Sequence, residues 1–480
     1  MNRSMPPSAD KSAVLALLRA QLPEVARTLC EQVVRIQPDD AGLWGLLGAI
    51  YGMLNNPEQA ERCAHEALQR QPDYPEAFNN LGLALRLQGR NVEAIPPLRE
   101  ALRLKPDYLD AWYNLGTALA ADKRFGEAVD CYRRVLASRP DDAEAMNDLG
   151  IALAGCGRPD EAIASYRRAL ERQPALLAAH QNLAKTLLDL GRHEEALSAC
   201  HATLQFHPAD PDTLVNLGVA LEQRGKPGQA ADAYRRAIAV KPDAAEAHFN
   251  LALVLLGQGR FREGWQEYAW HWKREGVAGR PFPPAAWDGA SLGGRPVFLH
   301  AEQGLGDELF FLRFVPWLRQ KDAGRIVYRA GPKIVSIIAR TPGIDHVAGP
   351  EEMPAPSDCV FSVGDLPRLL GMERVEQIPV SATLVPLAAE LESMRARLAE
   401  IGPPPYLGVT WRAGIRHRMN ALYKESPLTP IARVLAPLKA TVLLLQRHPE
   451  TGEIAAFASA LGRPAHDFSA LNDDLEAMLA

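Results

Sequence analysis

The sequence predicts an α-solenoid followed by an α/β domain. Proline recurs every 34 residues, at Pro38, Pro72, Pro106, Pro140, Pro174, Pro208 and Pro242. A fixed period of this length is typical of stacked helical hairpins, each of which buries its apolar face only against its neighbours. The 34-residue period stops after Gly264. From residue 296 short apolar runs alternate with helical stretches, which predicts a parallel sheet with crossover helices.

Each repeat is predicted to contain two helices, a turn and a proline-containing link. In residues 75–108, Pro75 begins the first helix, where its missing N–H costs nothing. Gly89 closes that helix as the residue after its cap, and Pro106 stops the second helix. Glycine recurs at this turn, and Asn55 and Lys123 take its place in two repeats. We expect about eight hairpins, or about sixteen helices, with atypical first and last repeats at 7–40 and 245–278.

Three further columns keep the same spacing. Small residues that allow helices to approach closely stand at Gly48, Gly82, Gly116, Gly150, Ala184, Gly218 and Ala252, and at Ala60, Ala94, Ala128, Ala162, Ala196, Ala230 and Gly264. A bulky column contains Tyr132, Tyr166, Tyr234 and Tyr268. Over residues 41–244 the pattern resembles the tetratricopeptide repeat (TPR) family. The resemblance implies a superhelix that holds a polypeptide or protein partner.

An amide column stands just before the leucine of each first helix: Asn80, Asn114, Asn182, Asn216 and Asn250, with Asp148 in the sixth place. An amide offers a donor and an acceptor to an extended peptide backbone. The column resembles the asparagine ladder in the TPR domain of O-linked N-acetylglucosamine transferase, which grips acceptor polypeptide. Peptide binding and a purely structural role between hairpins both fit the pattern.

Composition narrows the functional classes. The chain has 480 residues, of which 47% are hydrophobic and 23% charged, and a net charge of -5 argues against a general nucleic-acid binder. Six scattered cysteines without a CxxC pair predict reduced thiols rather than a metal or disulfide site. The N-terminus does not resemble a signal peptide, and no apolar run has the length of a membrane span. We therefore expect a cytoplasmic protein without a metal or a permanently bound cofactor.

A tryptophan cluster marks the end of the repeats, at Trp265, Trp270 and Trp272, with Trp287 further on. Aromatic rings at a domain boundary favour packing between the last repeat and the domain that follows. Stacking of a sugar on one of these rings is the alternative.

The α/β region begins with a predicted strand at Pro296–His300, followed by the loop Ala301–Glu308 and a helix to about Arg319. Further strands are predicted at Arg325–Tyr328, Asp345–Val347 and Cys359–Ser362, and helices at Pro332–Ala339 and Leu366–Gly371. In parallel sheets, ligands bind beyond the carboxyl ends of the strands. The loop 301–308 lies at that end of the first strand and is the first candidate site.

Gly304, Gly306 and Asp307 give this loop its chemistry. The glycines allow a substrate to approach the backbone, and a carboxylate there could act as general base on an acceptor hydroxyl. Asp307 could equally be a helix N-terminal charge that complements the macrodipole.

The stretch 302–318, E-Q-G-L-G-D-E-L-F-F-L-R-F-V-P-W-L, resembles the first strand, loop and helix of heptosyltransferase-like glycosyltransferases. The run W-D-G-x-x-L-G-G-R at 287–295 is similar to bacterial proteins that fuse TPR arrays to such a domain. The resemblance implies a GT-B architecture of two Rossmann-like lobes. It assigns deprotonation of the acceptor to Asp307 and implies a nucleotide-sugar donor.

A second lobe is predicted after a helical stretch at 386–401 and a proline-rich linker at 402–405. Strands are expected at Tyr406–Trp411 and Thr441–Gln446, with a basic loop from Arg412 to Arg418 after the first. A basic, glycine-containing loop after a strand suits a diphosphate. Arg412 is therefore a candidate donor-binding residue, and a solvated basic loop is the alternative. In the resembling family a basic residue in a loop of the second lobe contributes to phosphate binding, and the resemblance implies that role for Lys424.

The predicted domains are a TPR superhelix at 1–278, an acceptor-side lobe with its linker helix at 279–400, and a partial donor-side lobe at 401–480. Members of the resembling family usually continue with further strand and helix units, whereas only two clear strands are predicted here. Either the second lobe is incomplete or it packs on the first. We expect a hexosyl- or heptosyltransferase-like glycosyltransferase whose TPR array recruits the acceptor. The alternative is a non-catalytic scaffold for protein–protein interaction with a degenerate transferase domain.

Overall fold

The computed structural model describes residues 11–274, 287, 289–301, 304–413 and 424–479. Within the chain, contacts define two compact units, Met1–Pro242 and Asp243–Ala480. The boundary of 278 predicted above follows the repeats of the sequence. By contacts, the eighth hairpin belongs to the second unit.

Helices α1 to α16 form the predicted hairpins between residues 11 and 268. The first helices of the hairpins, called A helices, are α1 (Lys11–Arg19), α3 (Ala41–Met53), α5 (Pro75–Leu87), α7 (Leu109–Ala121), α9 (Ala143–Gly155), α11 (Leu177–Asp189), α13 (Pro211–Gln223) and α15 (Ala245–Gly257). The second, or B, helices are α2 (Pro23–Ile36), α4 (Pro57–Arg70), α6 (Asn91–Leu104), α8 (Phe125–Ser138), α10 (Pro159–Arg172), α12 (His193–Phe206), α14 (Pro227–Val240) and α16 (Phe261–Tyr268). The prediction of sixteen helices is confirmed over this range.

Every turn inside a hairpin contains one residue in the left-handed region. The residues are Gln21, Asn55, Gly89, Lys123, Gly157, Gly191, Gly225 and Gly259, with φ between 54° and 76°. At each turn the next N–H donates to the carbonyl five residues earlier, as Arg90 does to Leu85 at 2.9 Å. Asn55 and Lys123 thus replace the glycine as predicted, and Gln21 extends the column to the first hairpin.

The proline links are held by the fourth residue of some A helices. Nε1 of Trp44 donates to the carbonyl of Pro38 at 2.8 Å, and Nε1 of Trp112 donates to that of Pro106 at 2.8 Å. His180 places Nε2 2.8 Å from the carbonyl of Pro174. The ring at this position therefore fixes the link that precedes its own helix.

Within the first unit, each B helix packs on the following A helix, and consecutive A helices from α3 to α13 also pack on one another. The A helices therefore lie on the inner side of the curved stack, where a solenoid presents its concave surface. Ala94, Leu98 and Ala101, predicted to line one B helix, are all fully buried.

The second unit contains a four-stranded parallel sheet of order β3-β2-β1-β4. Its strands are β1 (Val297–His300), β2 (Ile326–Arg329), β3 (His346–Val347) and β4 (Cys359–Ser362), close to the predicted ranges. The helices between and after them are α17 (Leu305–Phe311), α18 (Val315–Gln320), α19 (Val335–Ala339) and α20 (Leu366–Leu369). The sequence thus predicted each strand of this sheet and the parallel pairing.

A second, three-stranded parallel sheet has the order β5-β8-β9, and a two-stranded antiparallel sheet pairs β6 with β7. The elements are α21 (Ala388–Ile401), β5 (Tyr406–Val409), β6 (Arg412–Ala413), β7 (Lys424–Glu425), α22 (Leu428–Leu435), β8 (Thr441–Leu444), α23 (Glu453–Leu461), β9 (His466–Asp467) and α24 (Leu475–Leu479). The prediction of only two strands missed β6, β7 and β9, because strands of two residues leave no periodic pattern.

The last helix, α24, packs on the first sheet's core. Leu475 and Leu479 contact that hydrophobic cluster, and a carboxylate oxygen of Glu476 lies 2.5 Å from a guanidinium nitrogen of Arg340. The second sheet region is thereby joined to the first, as one of the two sequence-based alternatives proposed.

Trp265 and Trp272 are each 7% exposed, and Trp265 belongs to the core of the first sheet. The ring of Trp265 meets Phe311 edge-on at 6.1 Å between centroids. This supports the packing interpretation of the tryptophan cluster.

Candidate functional site

The amide column lies between consecutive A helices. Nδ2 of Asn80 donates to the carbonyl of Gly45 at 2.8 Å. Nδ2 of Asn114 donates to Oδ1 of Asn79 at 2.9 Å, and Nδ2 of Asn182 donates to Oδ1 of Asn147 at 2.9 Å. In these three repeats the amide nitrogen therefore bridges neighbouring hairpins, as the structural alternative proposed. Asn216 on α13 and Asn250 on α15 hold the same helix position and are half-buried.

Asp148 replaces asparagine in this column and has a different environment. The hydroxyl of Tyr113 donates to Oδ2 of Asp148 at 2.6 Å, and Nδ2 of Asn147 donates to Oδ1 at 3.2 Å. Burial raises the pKa of Asp148 despite these bonds and despite the field of Arg86. Asp148 is thus a half-buried carboxylate whose negative charge is incompletely compensated.

Glu222 on α13 is a second carboxylate of this kind. The hydroxyl of Tyr234 lies 3.3 Å from Oε2 of Glu222, and burial raises the pKa of Glu222. Both carboxylates are on A helices, which form the inner side of the stack.

We call the second, fifth, ninth and twelfth residues of α5, α7, α9, α11 and α13 the inner stripe, because this spacing places them on one helix face. Most of its members are half-buried or exposed, and Ile151 is 40% exposed. The stripe mixes apolar residues such as Leu83, Val215 and Val219 with polar ones such as Tyr113 and Gln181. A mixed surface of this kind suits an extended polypeptide, since both backbone and side chains find partners.

The second candidate site is the carboxyl edge of the first sheet. Gly304 precedes α17, and Asp307 is exposed in the first turn of that helix. A Cβ on Gly304 would lie 2.6 Å from Oδ2 of Asp307, so the carboxyl group folds back over this glycine. Gly306 is exposed with open space beside its Cα. Residues 302 and 303 of the predicted loop lie outside the described residues.

Glu308, which the sequence analysis did not assign, is the buried residue of this loop. It is 2% exposed, and its Oε1 accepts from the hydroxyl of Tyr328 at 3.1 Å and from the N–H of Gly331 at 3.0 Å. The carboxylate therefore ties the loop after β2 to the helix that carries Asp307.

Three more buried polar residues lie at the same sheet edge. His300 ends β1 and pairs in register with Ser362 at the end of β4, and Asp365 follows in the next turn. Their exposed fractions are 3%, 0% and 3%. Sequence reasoning missed them, although a polar residue at the end of an apolar strand is a detectable signal.

Arg412 and Lys424 lie in the paired strands β6 and β7. Lys424 is opposite Ala413, and Arg412 is opposite Glu425. The antiparallel pairing brings the backbones of the two candidate residues together, although twelve positions separate them in sequence. The remainder of the predicted basic loop, 414–418, lies outside the described residues.

The described residues also bear on metal binding, membrane insertion and thiol chemistry. Among the described residues no three or more His, Cys, Asp or Glu side chains are grouped as metal ligands. No described helix combines the length and apolar character needed to cross a membrane. The six cysteines are unpaired, and burial raises the pKa of Cys63, Cys131 and Cys200 to about 12.

Comparison with solved structures gives repeat proteins of low identity. YrrB, described as a TPR protein with an unusual peptide-binding site, is 22% identical, with a TM-score of 0.33 over 38% of this chain and 95% of that chain. MamA of Desulfovibrio magneticus is 24% identical, with a TM-score of 0.34 over 35% and 96%. The Cut9–Hcn1 structure is 14% identical, with a TM-score of 0.41 over 55% and 52%.

Comparison with known sequences identifies the repeats. Protein FlbA of Caulobacter vibrioides is 28% identical over 182 residues, and the match covers 33% of this chain and 30% of FlbA. This chain thus spans less than a third of that relative. The tetratricopeptide repeat model matches residues 50–108, 93–143, 113–176, 147–212 and 215–268. Residues 50–268 of this chain are therefore an array of tetratricopeptide repeats.

Proposed function

We propose that the repeat array is a scaffold that binds an extended polypeptide on its inner stripe. The observation that carries this proposal is the row of half-buried and exposed apolar and polar side chains along α5 to α13. The outer surface is instead rich in ion pairs between consecutive B helices, such as Arg99 with Glu127 at 2.8 Å and Arg167 with Glu195 at 2.8 Å. A surface that exposes apolar and polar side chains together favours binding of a partner.

The test is a peptide screen by fluorescence anisotropy with the full chain and two variants. Ile151→Glu places a charge in the middle of the inner stripe. Val92→Glu is the matched control, because Val92 is 62% exposed on the B helix α6. The proposal predicts that peptides found with the unchanged chain lose at least about tenfold affinity with Ile151→Glu, as expected for a central contact. Equal affinity of both variants would contradict it.

A second proposed function is sugar transfer at the edge of the first sheet. The observation that favours it is the strand order β3-β2-β1-β4, in which the direction of strand addition reverses beside β1. Ligands of open parallel sheets bind at such a reversal, beyond the carboxyl ends of the strands. Asp307 stands there in the first turn after β1, and we propose it as the base that deprotonates an acceptor hydroxyl.

In this proposal Gly304 and Gly306 allow the substrate to approach the backbone, and Arg412 and Lys424 neutralise the diphosphate of a nucleotide-sugar. A thermal-shift screen with nucleoside diphosphates and nucleotide-sugars tests donor binding, since a ligand of the folded state raises the unfolding midpoint. Sugar transfer by the unchanged chain and its loss in Asp307→Asn, with an unchanged midpoint, would support the base assignment. Retained transfer in Asp307→Asn would remove it.

A further inference from the structure

We propose that the polypeptide bound by the inner stripe is basic where it crosses α9 to α13, and that Asp148 and Glu222 receive its cationic side chains. This inference rests on the polypeptide-binding function proposed above and adds the chemistry of the partner.

The charges of the inner surface from α9 to α13 are predominantly negative. Glu144 on α9, and Asp212 on α13, are exposed second residues of their helices. Together with Asp148 and Glu222 they make four carboxylates on two helices. Within residues 11–242, all of which the structure describes, none of the four lies within 4.0 Å of a Lys, Arg or His nitrogen.

The helix between α9 and α13, which is α11, contributes little positive charge to balance these carboxylates. Lys185, the exposed ninth residue of α11, is the cation of the stripe there, and the exposed Asp189 follows four residues later. Arg86 lies on α5, on the other side of Asp148 from Glu222. The three helices α9, α11 and α13 together thus carry five carboxylates and one lysine.

The same carboxylate type is neutralised elsewhere in this unit. The second residues of α5 and α7, Glu76 and Asp110, pair with Lys105 at 3.0 Å and with Arg139 at 2.9 Å. On the B helices Arg192 pairs with Glu195 at 2.7 Å and with Asp160 at 2.9 Å. Glu144 and Asp212, the second residues of α9 and α13, have no such pair within residues 11–242, so a bound partner can supply their cations.

Of the four carboxylates, Asp148 and Glu222 are the half-buried ones. We call these two residues the anchors, because we expect them to receive the cationic side chains of the peptide. Each already accepts a bond from a tyrosine hydroxyl and retains further acceptor capacity, since a carboxylate has about four lone-pair directions. A cation brought by a ligand would compensate a charge that has lost part of its hydration, and such pairs contribute more than exposed ones.

The spacing of the anchors sets the spacing of the basic residues. Packed helices lie about 8–10 Å apart, so α9 and α13, with α11 between them, are separated by roughly 16–20 Å. An extended chain advances about 3.3 Å per residue, so this distance corresponds to about six residues. An even separation also places both basic side chains on the same side of the extended chain.

The test uses three peptides of twelve residues, identical except at two positions six residues apart, which hold Arg, Gln or Glu. Binding to the full chain is measured by fluorescence anisotropy at two ionic strengths. We expect the Arg peptide to bind at least about tenfold more tightly than the Glu peptide, with a difference that shrinks as salt screens the charges.

The variants Asp148→Asn and Glu222→Gln identify the receiving groups. Asparagine is the residue of five other repeats at this position, so we expect Asp148→Asn to preserve the fold. Each variant should weaken the Arg peptide about threefold to tenfold and leave the Gln peptide unchanged. Asp130→Asn removes the same charge from the exposed surface of α8 and should alter neither.

Equal affinity for the Arg and Gln peptides would overturn the charge assignment while the polypeptide-binding function stands. Unchanged Arg-peptide affinity in both carboxylate variants would overturn the assignment of Asp148 and Glu222. Absence of binding by all three peptides would overturn this inference, whereas the screen with Ile151→Glu decides the proposed function separately.

Discussion

The Cα of Gly150 faces the ring of Tyr166. A Cβ on Gly150 would lie 2.4 Å from Cε1 of Tyr166, closer than any real contact. The same relationship, sixteen residues apart, joins Gly116 to Tyr132 and Gly218 to Tyr234. Where the glycine column holds Ala184, the residue sixteen positions later is the smaller Cys200. In these four repeats the two columns therefore compensate each other in volume, whereas Ala252 is followed sixteen positions later by the bulky Tyr268.

This pairing predicts that Gly150→Ala destabilises the array, although alanine is the better helix former. Overpacking a full core typically costs about 1–3 kcal/mol, which exceeds the roughly 1 kcal/mol gained in helix propensity. Urea denaturation followed by circular dichroism measures the change. In a Tyr166→Cys background, which copies the natural Ala184 and Cys200 pair, the cost of Gly150→Ala should vanish.

Gly126→Ala is the matched control, because a Cβ there meets no atom within 4 Å. It should be neutral or slightly stabilising. A loss of stability equal to that of Gly150→Ala would show that the ring of Tyr166 is not the cause.

Lys123 occupies a left-handed turn position that is glycine in five other repeats, with φ of 62°. A side chain in this conformation costs about 1–2 kcal/mol, so Lys123→Gly should stabilise the array by about 1 kcal/mol. The reverse change, Gly157→Lys, should lower stability by a similar amount, because space is open there and only the backbone conformation, with φ of 72°, is strained. Thermal unfolding of both variants checks the sign; destabilisation by Lys123→Gly would contradict the prediction.

The environment of Asp148 predicts that the folding stability of the array depends on pH. Its pKa is raised, chiefly by burial, so the folded state binds a proton more tightly than the unfolded chain. Burial of this carboxyl group therefore costs no folding stability at a pH below the pKa that it has in the unfolded chain. The cost appears as the pH rises through the pKa that it has in the folded state. Asp148→Asn should be more stable than the unchanged chain at pH 7 and equally stable near pH 3. Denaturation midpoints of both proteins between pH 3 and pH 7 test this prediction. A difference in stability that widens toward low pH would refute it.

The two hydrogen bonds accepted by Glu308 predict that alanine and glutamine at this position affect the stability of the second unit differently. Glu308→Ala removes the carboxylate that accepts from the buried hydroxyl of Tyr328 and from the N–H of Gly331, at a cost of roughly 2–4 kcal/mol. Glu308→Gln keeps an oxygen in the place of Oε1 and should lose much less. Tryptophan fluorescence during denaturation reports this unit well, because six of the eight tryptophans follow residue 242. Equal destabilisation by Ala and Gln would show that the charge, not the acceptor, matters.

The two halves of the chain differed in how far their sites could be predicted. In the second half, the catalytic and donor-site candidates are residues of a suitable chemical type in loops that follow predicted strands. His300 and Ser362 each end an apolar strand, which is a local signal, but their position with Glu308 at one sheet edge depends on which strands are neighbours. Strand order is set by contacts between distant segments, and a local pattern carries no information about it.

The sequence by itself determined the repeats: hairpin length, helix boundaries, turn residues and the small and bulky columns. These are local properties, since each helix repeats the same period and each turn needs one left-handed residue. The tertiary structure decided where the polar side chains are used. It showed that the amides of Asn80, Asn114 and Asn182 bridge hairpins, and that Asp148, in the same column, keeps an incompletely compensated charge. Burial and the approach of Tyr113 from the neighbouring helix produce that difference, and both arise only when the hairpins stack.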